Sequence, residues 1–150
     1  MSCIENKRVL VACSNLDFLL ISKILQKGFL LDHANNRHDI LQKKQANEYN
    51  LLLIDVCFLK PGYEFAEQLL QDKVNLVALS SEPGDSCDCR LKASGCKACY
   101  IKPFRIDSFA LFVEYWCCSW ILYNFVRILF YKITPIFTIC SLGSQRVATL

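Results

Sequence analysis

The chain has 150 residues, a length typical of one domain. Because 53% of the residues are apolar and 21% charged, the composition predicts a substantial core and excludes a disordered protein. All 14 acidic residues and 14 of the 17 basic residues precede position 116, and the net charge of +3 comes from Arg127, Lys132 and Arg146. This scattered charge argues against nucleic-acid binding, which needs basic residues gathered on one face. No uninterrupted apolar run reaches the length of about 18 residues that a transmembrane helix needs.

Five short apolar runs predict five β-strands, separated by stretches with helical features. Uninterrupted apolar runs are typical of parallel strands that are covered on both faces. The predicted strands occupy residues 9–12, 29–31, 51–54, 74–79 and 99–101. Helices are predicted at 18–25, with Asp17 near the start, at 38–46, 63–72 and 85–93, and from Asp107 onward. Five β-α units in succession predict a three-layer, doubly wound α/β fold with a parallel sheet.

Polar side chains follow four of the predicted strands. Doubly wound sheets place their functional sites at the carboxyl ends of the strands. Cys13 and Ser14 follow the first strand. Asp55 follows the third strand, Ser80 the fourth and Lys102 the fifth. A carboxylate, a hydroxyl and an ammonium at one edge suit a phosphoryl group, with Asp55 as the nucleophile and Ser80 and Lys102 holding the transferred oxygens.

These segments resemble the receiver domain of two-component response regulators, the CheY-like fold. The resemblance extends over residues 7–115, and its most specific part is the sequence Tyr-Ile-Lys-Pro-Phe at 100–104. It implies the strand order 2-1-3-4-5, a receiver-like domain at 6–118 and a cis peptide bond before Pro103. It also implies phosphorylation of Asp55 by a histidine kinase or phosphotransfer protein, and Mg²⁺ bound by Asp55 and the backbone carbonyl of Cys57.

The sequence departs from the receiver pattern at the metal site and at the switch residue. Receivers usually carry two adjacent acids after the first strand, where this chain has Cys13 and Ser14. A thiol and a neutral hydroxyl weaken the expected Mg²⁺ site, because Mg²⁺ prefers charged oxygen ligands. The aromatic switch residue normally lies three positions before the lysine; Cys99 stands there, and Tyr100 is expected on the opposite face of the strand. The loop after Asp55 is two residues longer than in the family.

Ten cysteines raise the possibilities of disulfides and of zinc. Disulfides need export, and the apolar run before Cys13 is too short for a signal peptide, so we expect a cytoplasmic chain with reduced thiols. The four cysteines that could form a zinc site are Cys87, Cys89, Cys96 and Cys99. A helix between the two pairs would hold them roughly 13 Å apart, too far for one zinc ion, so zinc is not expected.

The residues from 119 to 150 form an apolar, aromatic-rich tail with three open interpretations. It is a membrane-surface anchor, a helix that packs on a partner, or a C-terminus without selected structure. The leading hypothesis for the whole chain is a stand-alone, divergent receiver in phosphorelay signalling, which accepts a phosphoryl group and is not an enzyme with a small-molecule substrate. The alternative is a pseudo-receiver that binds proteins independently of phosphorylation. Neither the output protein nor the oligomeric state follows from the sequence.

Overall fold

The protein folds around one five-stranded parallel sheet. The computed structural model describes residues 6–26, 28–60, 64–72, 74–82, 89–117, 139–140 and 146–147. The strands of the sheet are β1 (Lys7–Ala12), β2 (Phe29–Ala34), β3 (Leu51–Asp55), β4 (Asn75–Ser80) and β5 (Ala98–Ile101). Their order is β2-β1-β3-β4-β5, and every neighbouring pair is parallel. The predicted doubly wound fold and the strand order 2-1-3-4-5 are therefore confirmed.

Helices connect the strands and cover both faces of the sheet. They are α1 (Asn15–Ile24), α2 (Arg37–Ala46), α3 (Val56–Leu59), α4 (Glu64–Leu69), α5 (Cys89–Ala93) and α6 (Ile106–Cys117). A 3₁₀ turn at Leu70–Asp72 extends α4. Two further short strands, β6 (Ile139–Cys140) and β7 (Arg146–Val147), pair with each other in antiparallel orientation.

The alternation of side chains along the strands produces two separate apolar layers. Leu10, Leu52 and Leu76 face one side of the sheet and pack with residues of α2 to α5 such as Ile40, Leu69 and Leu91. Their chain neighbours Val9, Leu51, Leu53 and Val77 face the other side, against Ile21 of α1 and Phe109, Phe112 and Val113 of α6. Because successive strand residues point to opposite faces, an uninterrupted apolar run fills both layers.

Capping residues fix where the first two helices begin. The Ser14 hydroxyl accepts a hydrogen bond from the backbone N–H of Asp17 (3.2 Å) at the start of α1. The Asn36 side chain does the same for Asp39 (2.8 Å) at the start of α2. Each cap satisfies a backbone donor that the first turn of a helix leaves without an intrahelical partner. Because α1 follows β1 and α2 follows β2, both helices start at the carboxyl edge of the sheet.

Two connections differ from the sequence predictions. Residues after Asp55, predicted as a loop, form the one-turn helix α3, because the Asp55 carboxylate caps it and Val56 and Leu59 are buried. From α2, Arg37 Nε donates to the Phe58 carbonyl (2.6 Å) and so fixes the end of this turn. The helix predicted at 63–72 is α4 followed by the 3₁₀ turn, and of the helix predicted at 85–93 the structure describes only α5.

Most of the tail, for which a membrane-anchor or partner-binding role is one prediction, lies outside the described residues. Within 119–150 the structure describes only β6 and β7. Across the described parts of the chain, no helix is both long enough and apolar enough to span a bilayer. The boundary between the receiver-like domain at 6–118 and the tail stays a prediction.

Candidate functional site

The predicted site residues lie at one edge of the sheet. Asp55 is the last residue of β3 and Ser80 the last of β4, while Cys13 and Lys102 directly follow β1 and β5. Because all five strands are parallel, their carboxyl ends meet at the same edge. The backbone N–H of Lys102 donates to the Ser80 carbonyl (2.8 Å), which ties the end of β5 to the end of β4.

A lysine held between two carboxylates forms the centre of the site. Lys102 Nζ donates to Asp55 Oδ2 (2.7 Å) and to Asp17 Oδ2 (2.6 Å). All three side chains are only 17–18% exposed. Burial alone would lower the pKa of Lys102, but its hydrogen bonds to Asp17 and Asp55 outweigh that effect and raise it. The ammonium therefore stays charged at neutral pH and attracts both carboxylates.

Asp17 is the site residue that sequence reasoning missed. It lies in the first turn of α1, three residues after the cap Ser14, and Lys102 is 85 positions away along the chain. The Ser-x-x-Asp spacing before an apolar helix is the signal that indicates a first-turn acid. The cap directs the backbone N–H of Asp17 to Ser14, and the carboxylate reaches Lys102.

The second oxygen of Asp55 is engaged as well. Asp55 Oδ1 accepts a hydrogen bond from the backbone N–H of Cys57 (3.0 Å) at the start of α3. The two contacts, to Cys57 and to Lys102, fix both the position and the rotation of the carboxylate. The Cys57 thiol also hydrogen-bonds the Asp55 side chain; burial, this hydrogen bond and the negative charge together raise the pKa of Cys57 to about 11.

Cys13 lies beneath this cluster as a buried, neutral thiol. Its side chain belongs to the apolar layer against α1 and α6, and the residue is 2% exposed. Burial, followed by the nearby charge of Asp17, raises the pKa of Cys13 to about 12. The thiol is therefore protonated at neutral pH, whereas a metal-ligating cysteine acts as a thiolate.

Ser80 occupies its predicted position, and its hydroxyl bonds to the following turn. Ser80 Oγ donates to the carbonyl of Glu82 (2.9 Å) and accepts from the N–H of Glu82 (3.1 Å). The residue is 1% exposed. The predicted contact of Ser80 with a phosphoryl group stays a prediction.

The strand that leads to Lys102 has the predicted arrangement. The peptide bond between Lys102 and Pro103 is cis, as the resemblance implies. Tyr100 faces α6, where its ring lies 4.8 Å from that of Phe109, while Cys99 belongs to the layer on the opposite face. The expectation that Tyr100 lies on the face of the strand opposite to Cys99 is confirmed.

The structure describes only part of the set of four cysteines that could form a zinc site. Cys96 and Cys99 are buried, and Cys96 Sγ donates to the Ala98 carbonyl (3.2 Å). Cys87 and the side chain of Cys89 lie outside the described residues. The described part of the chain contains no cluster of three or more His, Cys, Asp or Glu side chains that could hold a metal ion.

Comparisons with known proteins place the fold among response-regulator receivers. No protein-family model and no curated protein matches the sequence. A response regulator from Thermotoga maritima matches with a TM-score of 0.70 and 20% identity, over 76% of this chain and 99% of that chain. The receiver domain of Ssk1 from Saccharomyces cerevisiae, solved with the histidine phosphotransfer protein Ypd1, has a TM-score of 0.63 and 19% identity, over 75% and 89%.

A third solved structure, of a response regulator with a ligand, matches in the same way. TrrA from Thermotoga maritima, solved in complex with Mg²⁺ and BeF, has a TM-score of 0.60 and 23% identity, over 73% of this chain and 98% of that chain. The chain therefore has the fold of receiver domains.

Proposed function

We propose that this chain is a receiver module of two-component signalling that accepts a phosphoryl group on Asp55. The observation that carries the proposal is the 2.7 Å contact between Lys102 and Asp55, at the carboxyl edge of a receiver fold. The carboxylate is the nucleophile, and the ammonium lies where it can offset the charge of incoming phosphoryl oxygens. The chain acts in this role as a phosphoacceptor and not as an enzyme that turns over a small substrate.

The chemistry is a single group transfer. A carboxylate oxygen of Asp55 attacks the phosphorus of a phosphohistidine, a P–O bond forms, and the P–N bond breaks. The imidazole nitrogen keeps the electron pair of the broken bond and takes up a proton from water. The hydrogen bond from the N–H of Cys57 holds one carboxylate oxygen, which fixes the direction from which the other oxygen attacks.

A surface beside the site suits a protein donor of the phosphoryl group. Leu16, Leu19 and Leu20 of α1 are 67%, 59% and 44% exposed, and Ile106 at the start of α6 is 71% exposed. Leu16, Leu19 and Leu20 lie three and four positions apart on one helix, and neighbouring exposed apolar side chains of this kind are typical of protein contact surfaces. The neighbour Ssk1 was solved with a histidine phosphotransfer protein, which supports a partner of this kind here.

Magnesium fits the residues at this edge poorly. The positions after β1 hold a buried neutral thiol, Cys13, and Ser14, whose hydroxyl caps α1. The carboxylates of Asp55 and Asp17 each have one oxygen on Lys102. Mg²⁺ selects charged oxygen ligands in octahedral geometry, and this set offers few of them. We therefore derive no step of the transfer from a bound metal, and ligation by the Cys57 carbonyl stays a prediction.

The proposal is tested by the intact mass of the full chain after incubation with phosphoramidate. We expect one phosphoryl adduct in the wild type and none in Asp55→Asn, with Asp107→Asn, an exposed acid on α6, as the matched control. An adduct that persists in Asp55→Asn contradicts the assignment of the acceptor. No adduct on a protein that is folded by circular dichroism contradicts phosphorylation and favours the pseudo-receiver.

A further inference from the structure

The contacts of Lys102 give this site a positive charge of its own. One ammonium donates to two carboxylates. The distance between the two accepting oxygens is therefore at most the sum of the two hydrogen-bond lengths. Both contacts are short, as expected for hydrogen bonds between full charges. Two acids that converge on one point normally need a cation between them, and here a side chain supplies it.

We propose that the Lys102 ammonium, held by Asp17 as well as Asp55, replaces the divalent cation of this site, so that the protein does not take up Mg²⁺ there. The inference rests on the proposed function, because it takes this edge of the sheet as the phosphoryl site. It assigns Asp17 a positioning role, since Asp17 acts through its contact with Lys102. It also gives a physical reason why Cys13 and Ser14 can stand where acids are expected.

The charges at the site support the replacement of a divalent cation by the Lys102 ammonium. The described side chains in mutual contact carry two negative charges and one positive charge, and the side chain of Cys13 is buried in the apolar layer next to them. A divalent cation bound by the two oxygens that now accept from Lys102 would displace the ammonium from both acids and leave it without these partners in a largely buried place. Its gain would be two carboxylates and no further charged ligand among these groups, which is a weak set for Mg²⁺.

The proposal predicts that removing the lysine creates a metal site. Lys102→Met leaves Asp17 and Asp55 facing one another, and a divalent cation then relieves their repulsion. Removing Asp17 as well leaves a single carboxylate, so the gain disappears. If the wild-type site were a metal site, the wild type would already bind the divalent cation, and Lys102→Met would not be needed to create the affinity.

The test is Mn²⁺ binding to the full chain, followed by electron paramagnetic resonance of the free ion. We expect no saturable site in the wild type up to about 1 mM Mn²⁺. We expect at least about tenfold tighter binding in Lys102→Met and a return to wild-type behaviour in Asp17→Asn/Lys102→Met. Lys102→Arg, which keeps the positive charge, should behave as the wild type.

Two results overturn the proposal. One is a saturable site in the wild type that Asp55→Asn abolishes, and the other is a folded Lys102→Met that gains no affinity. If Lys102→Met does not fold, Lys102→Gln takes its place in the comparison with the wild type. Because the readout is metal binding, failure here is distinct from failure of phosphorylation, which the mass measurement reports.

Discussion

Exchange of Asp17 for asparagine should have opposite effects on stability depending on whether Lys102 is present. In the wild type, Asp17→Asn removes one of two charge-assisted hydrogen bonds to an ammonium that is 18% exposed. We expect a loss of about 1 kcal/mol in the free energy of unfolding at pH 7, because Asp55 still holds the lysine.

In Lys102→Met the same exchange should stabilise the protein. Loss of the lysine leaves two carboxylates close together, and at an effective dielectric constant of about 20 two unit charges about 5 Å apart repel by about 3 kcal/mol. We therefore expect Lys102→Met to cost about 3 kcal/mol, and Asp17→Asn to restore about 1–2 kcal/mol of that loss, because solvent at these partly exposed groups weakens the repulsion.

The assay is a double-mutant cycle from urea unfolding at low salt, followed by circular dichroism. The sign of the Asp17→Asn effect must reverse between the two backgrounds. Equal destabilisation in both backgrounds would refute the reasoning, since it would mean that Lys102 does not couple the two acids.

Three further predictions concern the layers around the site. Phe109→Ala removes a fully buried ring and should cost about 3–5 kcal/mol in urea unfolding, whereas Ile106→Ala, at an exposed position, should stay within about 0.5 kcal/mol of the wild type. Asn36→Ala should cost about 1 kcal/mol and Asn36→Asp much less, because only alanine removes the cap of α2; equal losses would contradict the capping role. The pKa of Cys13 is raised from 9.0 to about 12, so the thiol ionises in the unfolded chain first, and stability should fall as pH rises from 9 to 12. Cys13→Ala should weaken that pH dependence in urea unfolding, and an unchanged slope would contradict it.

The sheet could be predicted because each strand contains a short, uninterrupted run of apolar residues. The run at 51–54 is buried in β3 and ends at Asp55 as expected. The two-residue period of a strand predicts Tyr100 on the face opposite to Cys99, where the structure has it. β1 begins at Lys7, two residues earlier than predicted, because pairing with Phe29 and an ion pair between Arg8 and Asp32 (2.9 Å) hold these polar residues in the strand. Such support comes from a neighbouring strand, which periodicity does not reveal.

The site was predictable to the extent that strand ends define it. Asp55, Ser80 and Lys102 end or follow strands, so topology alone brings them together. Asp17 has no such marker, because its role depends on the phase of α1 over the end of β1 and on a lysine 85 residues away. The helix α3 was not predictable for a related reason: one turn is too short to show periodicity, and its cap, Asp55, is also the last residue of a strand.

The most direct test of the account is the intact mass of the full chain after phosphoramidate treatment in EDTA, beside the same reaction in Mg²⁺. If Asp55 is the acceptor and Lys102 is the cation of the site, one phosphoryl adduct forms to the same extent in both solutions and is absent from Asp55→Asn. An adduct that forms only with Mg²⁺ would contradict the role of Lys102. A folded wild-type protein with no adduct in either solution would contradict the assignment of Asp55 as a phosphoacceptor.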